Sequence, residues 1–198
     1  MKSASNLILL LVVIAAVAGV YFQQRYETET TLVVKVPHQQ IPLVDKNSNP
    51  VTLGDLAGKW VIAFFGYRSC PDVCPMTLSY LNREWAELSR YHDQLAVVYV
   101  SVDPKRDIPP RLKEYVDHFN PDFHAWTGDE QDLQALTKAL GAYYSYDQES
   151  GSELGYLVEH SASLFLLNPK GELQLKLRPP HSKGLVVRTV LQQLGGQI

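Results

Sequence analysis

From Trp60 to Pro75 the chain reads Trp60-Val61-Ile62-Ala63-Phe64-Phe65-Gly66-Tyr67-Arg68-Ser69-Cys70-Pro71-Asp72-Val73-Cys74-Pro75. The apolar run Trp60–Gly66 has no alternation, the pattern of a strand covered on both faces. Pro75 suits the first turn of a helix, because its missing N–H has no intrahelical partner there anyway. The apolar residues Leu78, Leu81, Trp85 and Leu88 then recur on one side, predicting a helix from Pro75 to about Tyr91, with Cys74 near its cap. The two cysteines therefore lie between the carboxyl end of a buried strand and the start of a helix. Open α/β folds place their ligands at such a position. Unpaired N–H groups at the helix start favour a thiolate.

The same pattern continues on either side. Leu95–Val102 reads as a second buried strand, and Ile108–Phe119 as a helix opened by Pro109 and Pro110. Phe123–Trp126 is strand-like, and Asp129–Leu140 is a helix closed by Gly141. Residues 142–158 are rich in Tyr and Gly and predict a hairpin or an insertion. Ser163–Leu167 is a strand, Asn168–Gly171 a turn, and Glu172–Leu177 the returning strand; Lys183–Leu194 is a final helix. Upstream, Ile41–Asp45 and Val51–Leu53 flank a turn-rich Lys46–Pro50, a hairpin signature, and Leu32–Val36 reads as an edge segment. Buried strands joined through helices predict an α/β domain. Its central sheet is expected to be mostly parallel, with helices on both faces and an antiparallel edge hairpin at Pro169-Lys170-Gly171.

The chain of 198 residues is long enough for one ordinary domain and its core. A net charge of -3 argues against a nucleic-acid partner, which would require a basic face. Leu7–Phe22 is uncharged and apolar, with Lys2 before it and Arg25 after it. Its sixteen residues fall between the apolar core of a signal peptide, about 7–15, and a spanning helix, about 17–25. Ala16-Val17-Ala18 offers a small-residue cleavage site, so an uncleaved anchor and a cleaved signal are both open, and both export the rest of the chain. The expected organisation is an N-terminal transmembrane helix or signal over 1–24, a linker over 25–40 and a single α/β domain over 41–198. The expected location is a bacterial inner membrane, crossed once, with the domain in the periplasm.

Two cysteines four residues apart permit a shared metal ion or a reversible disulfide. A purely stapling disulfide is the blander reading, but a loop this small removes little chain entropy. Two thiolates suit soft ions. A structural zinc site wants four ligands and a second short-spaced Cys or His pair, which the chain lacks. Cu(I) accepts three ligands, so one histidine would suffice. Of the six histidines, His160 stands apart, immediately before the Ser163–Leu167 strand. In a thioredoxin-like layout that loop faces the cysteine loop. Met76 is read as packing, and Asp72 and Asp103 as groups beside the site. A peroxidase of the thioredoxin superfamily would want a Pro and a Ser or Thr ahead of its reactive Cys, and Ala63–Ser69 supplies no such Pro.

Gly66–Pro75, with its CPDVCP core, Ser101-Val102-Asp103-Pro104-Lys105-Arg106-Asp107 and Glu159-His160-Ser161 together resemble the Sco/SenC family of copper-binding proteins that assist cytochrome c oxidase assembly. The resemblance runs from about Ile41 to Leu194. It implies a thioredoxin-like fold, a single N-terminal anchor, and a copper ion, Cu(I) or Cu(II), held by the sulfurs of Cys70 and Cys74 and the imidazole of His160. Glu159 stands where the family often has Asp, which keeps a carboxylate. The implied function is a metallochaperone, rather than an enzyme, that passes copper to the dinuclear CuA centre of oxidase subunit II. The alternative is a thiol–disulfide reductase, with Cys70 and Cys74 as its redox pair, that keeps the recipient's cysteines reduced. The implied partners are oxidase subunit II and other periplasmic copper carriers or thiol reductases.

Overall fold

The computed structural model describes residues 34–35, 41–148 and 155–195. The expected anchor over 1–24 and all of the linker except 34–35 lie outside them. Among the described residues no helix is long and apolar enough to cross a membrane.

Two strands without alternation, β4 (Trp60–Gly66) and β5 (Leu95–Ser101), are buried along their whole length and pair in parallel. Around them a sheet of eight strands is built. In chain order its other members are β1 (Val34–Lys35), β2 (Leu43–Asp45), β3 (Pro50–Val51), β6 (His124–Thr127), β9 (Leu164–Leu167) and β10 (Glu172–Leu177), and the spatial order is β1-β10-β9-β4-β5-β6-β2-β3. A separate two-stranded hairpin joins β7 (Tyr144–Asp147) to β8 (Leu157–His160). The helices are α1 (Val73–Glu87), α2 (Pro109–Phe119), α3 (Glu130–Ala139) and α4 (Leu185–Gly195).

The period-two alternation of side chains divides the core between the two faces of the sheet. Trp60, Ile62 and Phe64 of β4 and Leu95, Val97 and Tyr99 of β5 face the stripes Leu78-Leu81-Trp85 of α1, Leu112-Val116 of α2 and Val186-Val190 of α4. Val61, Ala63, Phe65, Ala96, Val98 and Val100 face Leu133 and Leu136 of α3 and the short turn Leu53–Leu56. Leu78 and Leu81, 0% and 1% exposed, contribute about 1.5–3 kcal/mol each by leaving water. A register shift between Leu173 and Leu175 lets β10 serve both faces, with Leu173 in one core and Leu175 and Leu177 in the other.

Helices do cover both faces, but the sheet is not mostly parallel. Only β4–β5 and β5–β6 run parallel, whereas the other five neighbouring pairs are antiparallel. The reason is connectivity. A helix carries the chain back to start a parallel neighbour only between β4 and β5 (α1) and between β5 and β6 (α2). The strand β9 enters beside β4 in the opposite sense, and β2 does the same beside β6.

The cysteine helix also differs in its start. It begins at Val73, so Cys74 lies inside the first turn and Asp72 holds the cap position without a side-chain cap bond. Pro75 in that first turn removes an N–H that the helix could not have paired. The regular helix ends at Glu87, and tighter helical turns continue over Ser89–Gln94. By contrast, α2 opens with its two prolines as expected, and Gly141 ends α3 at φ 65°, a left-handed conformation that suits glycine.

Candidate metal centre

Three donor atoms meet where β4, α1 and β8 converge: the sulfurs of Cys70 and Cys74 and a ring nitrogen of His160, all within 4.8 Å of one another. Each arrives by a different local rule. Cys70 sits on the loop after β4, whose backbone turns back through a hydrogen bond from the Cys70 N–H to the Tyr67 carbonyl at 3.2 Å. The first turn of α1 carries Cys74 inward, and it is 0% exposed. His160 is the last residue of β8 rather than a loop residue. It shares a strand face with the buried Val158, and its ring is held edge-on by Phe64 and Tyr67 at centroid distances of 6.1 and 5.8 Å. Gly66 makes this approach feasible, because a Cβ there would lie 2.7 Å from the Cys74 sulfur.

The tautomer follows from the imidazole's two contacts. Nδ1 lies 3.3 Å from the Ser161 carbonyl, to which only an N–H can donate. Nε2 is then the bare nitrogen, and it lies 3.3 Å from the Cys74 sulfur. A backbone carbonyl fixing one ring nitrogen while the other faces the ligand set is the usual support of a metal-binding histidine.

Both cysteines are free thiols, Cys70 half-buried and Cys74 buried. Their proton affinities are pushed apart. A hydrogen bond from Cys74 is the main influence holding the Cys70 thiol down at about 3. Burial opposes it, while the N–H groups of Asp72 and Cys74 assist. Cys74 moves upward, first because burial disfavours its thiolate and then because Cys70 is already charged. The pair titrates as a unit. At neutral pH it holds one negative charge, on the more accessible sulfur, and one proton, on the sulfur beside Nε2. Two sulfurs and one imidazole are a soft donor set that fits copper, and among the described residues no fourth His, Cys, Asp or Glu joins them as zinc's usual fourth ligand.

A six-residue connection, Val102–Asp107, braces both halves of the site. On the cysteine side, the Asp107 Oδ2 atom accepts the Arg68 N–H and the Ser101 hydroxyl, both at 2.7 Å. On the histidine side, the buried Asp103 carboxylate bonds Arg106 and accepts the Tyr156 hydroxyl at 2.7 Å. The Arg106 guanidinium lies 3.7 Å from the Tyr156 ring centroid and donates to the Tyr156 carbonyl at 2.9 Å. The Tyr146 hydroxyl adds a bond to the Val102 carbonyl at 3.0 Å. Asp103 thus serves the hairpin that carries His160, while the Asp72 side chain is exposed at the mouth of the site. Met76, expected to pack, is instead 58% exposed, because α1 turns it away from the sheet. Neither Asp72 nor Asp103 joins the donor group. The hairpin tyrosines, Tyr146 and Tyr156, escape sequence reasoning. Their only signal is the Tyr-rich composition of 142–158, which does not say what they bond.

The remaining described histidines lie against other rings: His92 stacks on Trp85 at 3.9 Å and His181 on Tyr80 at 5.6 Å, while His118 meets Phe119 at 5.4 Å and His124 meets Trp126 at 5.9 Å.

A profile of the SCO1/SenC family matches residues 35–195. A protein of Stutzerimonas stutzeri named for copper binding is 39% identical over 142 residues, which are 71% of this chain and 69% of that one. An SCO2-like protein of Rickettsia felis is 30% identical over 184 residues, 87% of this chain and 90% of its own. Among solved structures, Arabidopsis thaliana ScoI with copper bound superposes with a TM-score of 0.74 at 27% identity, covering 81% of this chain and 99% of that one.

Proposed function

The chain belongs to the SCO1/SenC family, and from that premise we propose that it binds one copper ion through Cys70, Cys74 and His160 and delivers it as cargo to the CuA centre of cytochrome c oxidase subunit II. The observation that carries this reading is the bare Nε2 of His160, 3.3 Å from a sulfur that is itself within reach of a second, ionised sulfur. Three soft donors suit Cu(I), and the same imidazole supports Cu(II). The copper named in the Stutzerimonas and Arabidopsis relatives supports the choice of ion. Loading replaces the proton retained by Cys74, and the half-exposed Cys70 is the ligand that a recipient rich in thiolates and imidazoles reaches first. The Leu7–Phe22 segment anchors the chain in a bacterial inner membrane, with residues 41–198 in the periplasm, where the oxidase subunit and other copper carriers or thiol reductases are met.

A second reading, thiol–disulfide reduction of the recipient's cysteines, is favoured by the same pair. Cys70 is an accessible thiolate and Cys74 a protonated partner poised to resolve a mixed disulfide. The two readings part at His160. Thiol exchange needs an attacking thiolate and a leaving sulfur, whereas copper binding needs the imidazole. His160→Ala should weaken Cu(I) binding at least tenfold (about 1.4 kcal/mol) and leave cells with little active oxidase, while the cysteines still form and break their disulfide. Copper affinity equal to wild type would remove His160 from the site. Oxidase activity that survives in His160→Ala and is lost only in Cys70→Ser and Cys74→Ser would leave reduction as the function.

A further inference from the structure

Tyr99 lies in the middle of β5, paired in register with Phe64 and 0% exposed. Its hydroxyl is buried and meets no hydrogen-bond partner of normal geometry among the described residues. Buried tyrosines ordinarily bring the hydroxyl to an acceptor, and phenylalanine would fill the same volume. Something other than packing must account for the oxygen.

The position of Gly66 shows what that oxygen faces. The point that a Cβ on Gly66 would occupy lies 2.7 Å from the Cys74 sulfur and 3.1 Å from the Tyr99 hydroxyl oxygen. A bare glycine at the end of β4 therefore leaves sulfur and hydroxyl bordering one small space, and both Cys74 and Tyr99 are 0% exposed. A neutral thiol is a weak acceptor, and beside it the hydroxyl has little to gain. A thiolate is a strong, charged acceptor. A phenol hydroxyl is a donor to such an acceptor.

We propose that Tyr99 is a positioning residue of the metal centre, whose O–H donates to the Cys74 sulfur once that sulfur is a copper-bound thiolate, orienting it and offsetting a charge placed where water cannot reach. The inference rests on the copper-binding reading. It predicts that the hydroxyl is idle in the metal-free protein and engaged in the loaded one, a pattern that packing alone does not produce.

The test is Tyr99→Phe in the full-length protein, measured in three ways beside wild type and the Cys70→Ser/Cys74→Ser double variant. Competition with a chromogenic Cu(I) chelator should show affinity about ten- to a hundredfold weaker, the loss expected for one hydrogen bond to a charged acceptor. Thermal unfolding of the reduced, metal-free protein should be unchanged or slightly higher in temperature, since a buried unpaired hydroxyl has gone. The sulfur-to-Cu(II) absorption band should shift in energy, because hydrogen bonding to a ligating sulfur changes its electron donation. Cu(I) affinity within twofold of wild type, or an unmoved band, overturns the proposal. So does a weakened affinity matched by a fall in metal-free stability, which would mark Tyr99 as packing. If wild type itself binds Cu(I) no more tightly than the double cysteine variant, the copper reading has failed and Tyr99 falls with it.

Discussion

Replacing Gly66 with alanine tests whether the closeness of strand and sulfur matters. The added methyl would stand 2.7 Å from the Cys74 sulfur and 2.9 Å from a Tyr99 ring carbon, inside the distance at which one group must move. Both neighbours are fully buried, and neither is the free end of a flexible side chain. Overpacking of this kind costs about 1–3 kcal/mol. The smaller entropy of the unfolded alanine chain returns about 0.4–1 kcal/mol. The net destabilisation is centred on about 1.3 kcal/mol and reaches at most about 2.6 kcal/mol, which for a domain of this size lowers the melting temperature by about 3–5 °C and at most about 10 °C. The sulfur is the mobile partner, since the ring is locked between Phe64 and Tyr115 at 5.9 Å each. Cys74 should therefore shift relative to His160, and Cu(I) affinity should fall by tenfold or more, about 1.4 kcal/mol. Gly128→Ala is the control. Its methyl would crowd the Leu43 Cδ2 atom at 2.8 Å, so stability should fall while copper binding holds. Thermal unfolding of the metal-free protein and a Cu(I) competition titration read both quantities. A Gly66→Ala protein with wild-type melting temperature and wild-type affinity would refute the reasoning.

Two further outcomes follow from the site. Iodoacetamide should label Cys70 in the folded, reduced protein and Cys74 only on unfolding, because Cys74 is 0% exposed. With the Cys70 thiol held at about 3 instead of 9.0, its labelling rate should stay nearly flat from about pH 8 down to about pH 5. A tenfold fall per pH unit over that range would mark an ordinary thiol. Since the folded value lies below the unfolded one, the stability contributed by this ionisation is complete above about pH 9 and drains away as pH falls toward 3. Asp103→Ala removes the carboxylate that both Arg106 and Tyr156 bond. It should destabilise the domain by about 3 kcal/mol, the low end for a buried pair, because Arg106 keeps 17% exposure. Amide exchange over Leu157–His160 should quicken as the hairpin loosens, and unchanged urea unfolding with unchanged exchange would count against the brace.

The buried strands and amphipathic helices were legible in the sequence because their signals are local and periodic. The apolar runs at Trp60–Gly66 and Leu95–Ser101, the prolines opening α2 and Gly141 closing α3 each state their structure within a few residues. Strand direction beyond the helical crossovers was not legible. Whether β9 runs with or against β4 depends on where the β7–β8 hairpin returns the chain, which no short window encodes. The site divides in the same way. Cys70, Cys74 and His160 were found from spacing, placement and resemblance, and the structure brings them together. What Asp103 bonds, why Gly66 is bare and where Tyr99 aims depend on contacts between residues far apart in the chain. Composition gives such residues no distinguishing mark.

The unequal depth of the two sulfurs imposes an order on any exchange through this centre. An incoming ligand meets Cys70 first, since Cys74 is 0% exposed and Cys70 is half-buried. The outer sulfur must yield before the inner one can. Under the proposed delivery, an ion still held by the inner sulfur would be shared by two proteins and not released into solution. On the same reading, transfer would be a relay with a fixed first and last step, and the burial of Cys74 would act as a ratchet against premature loss.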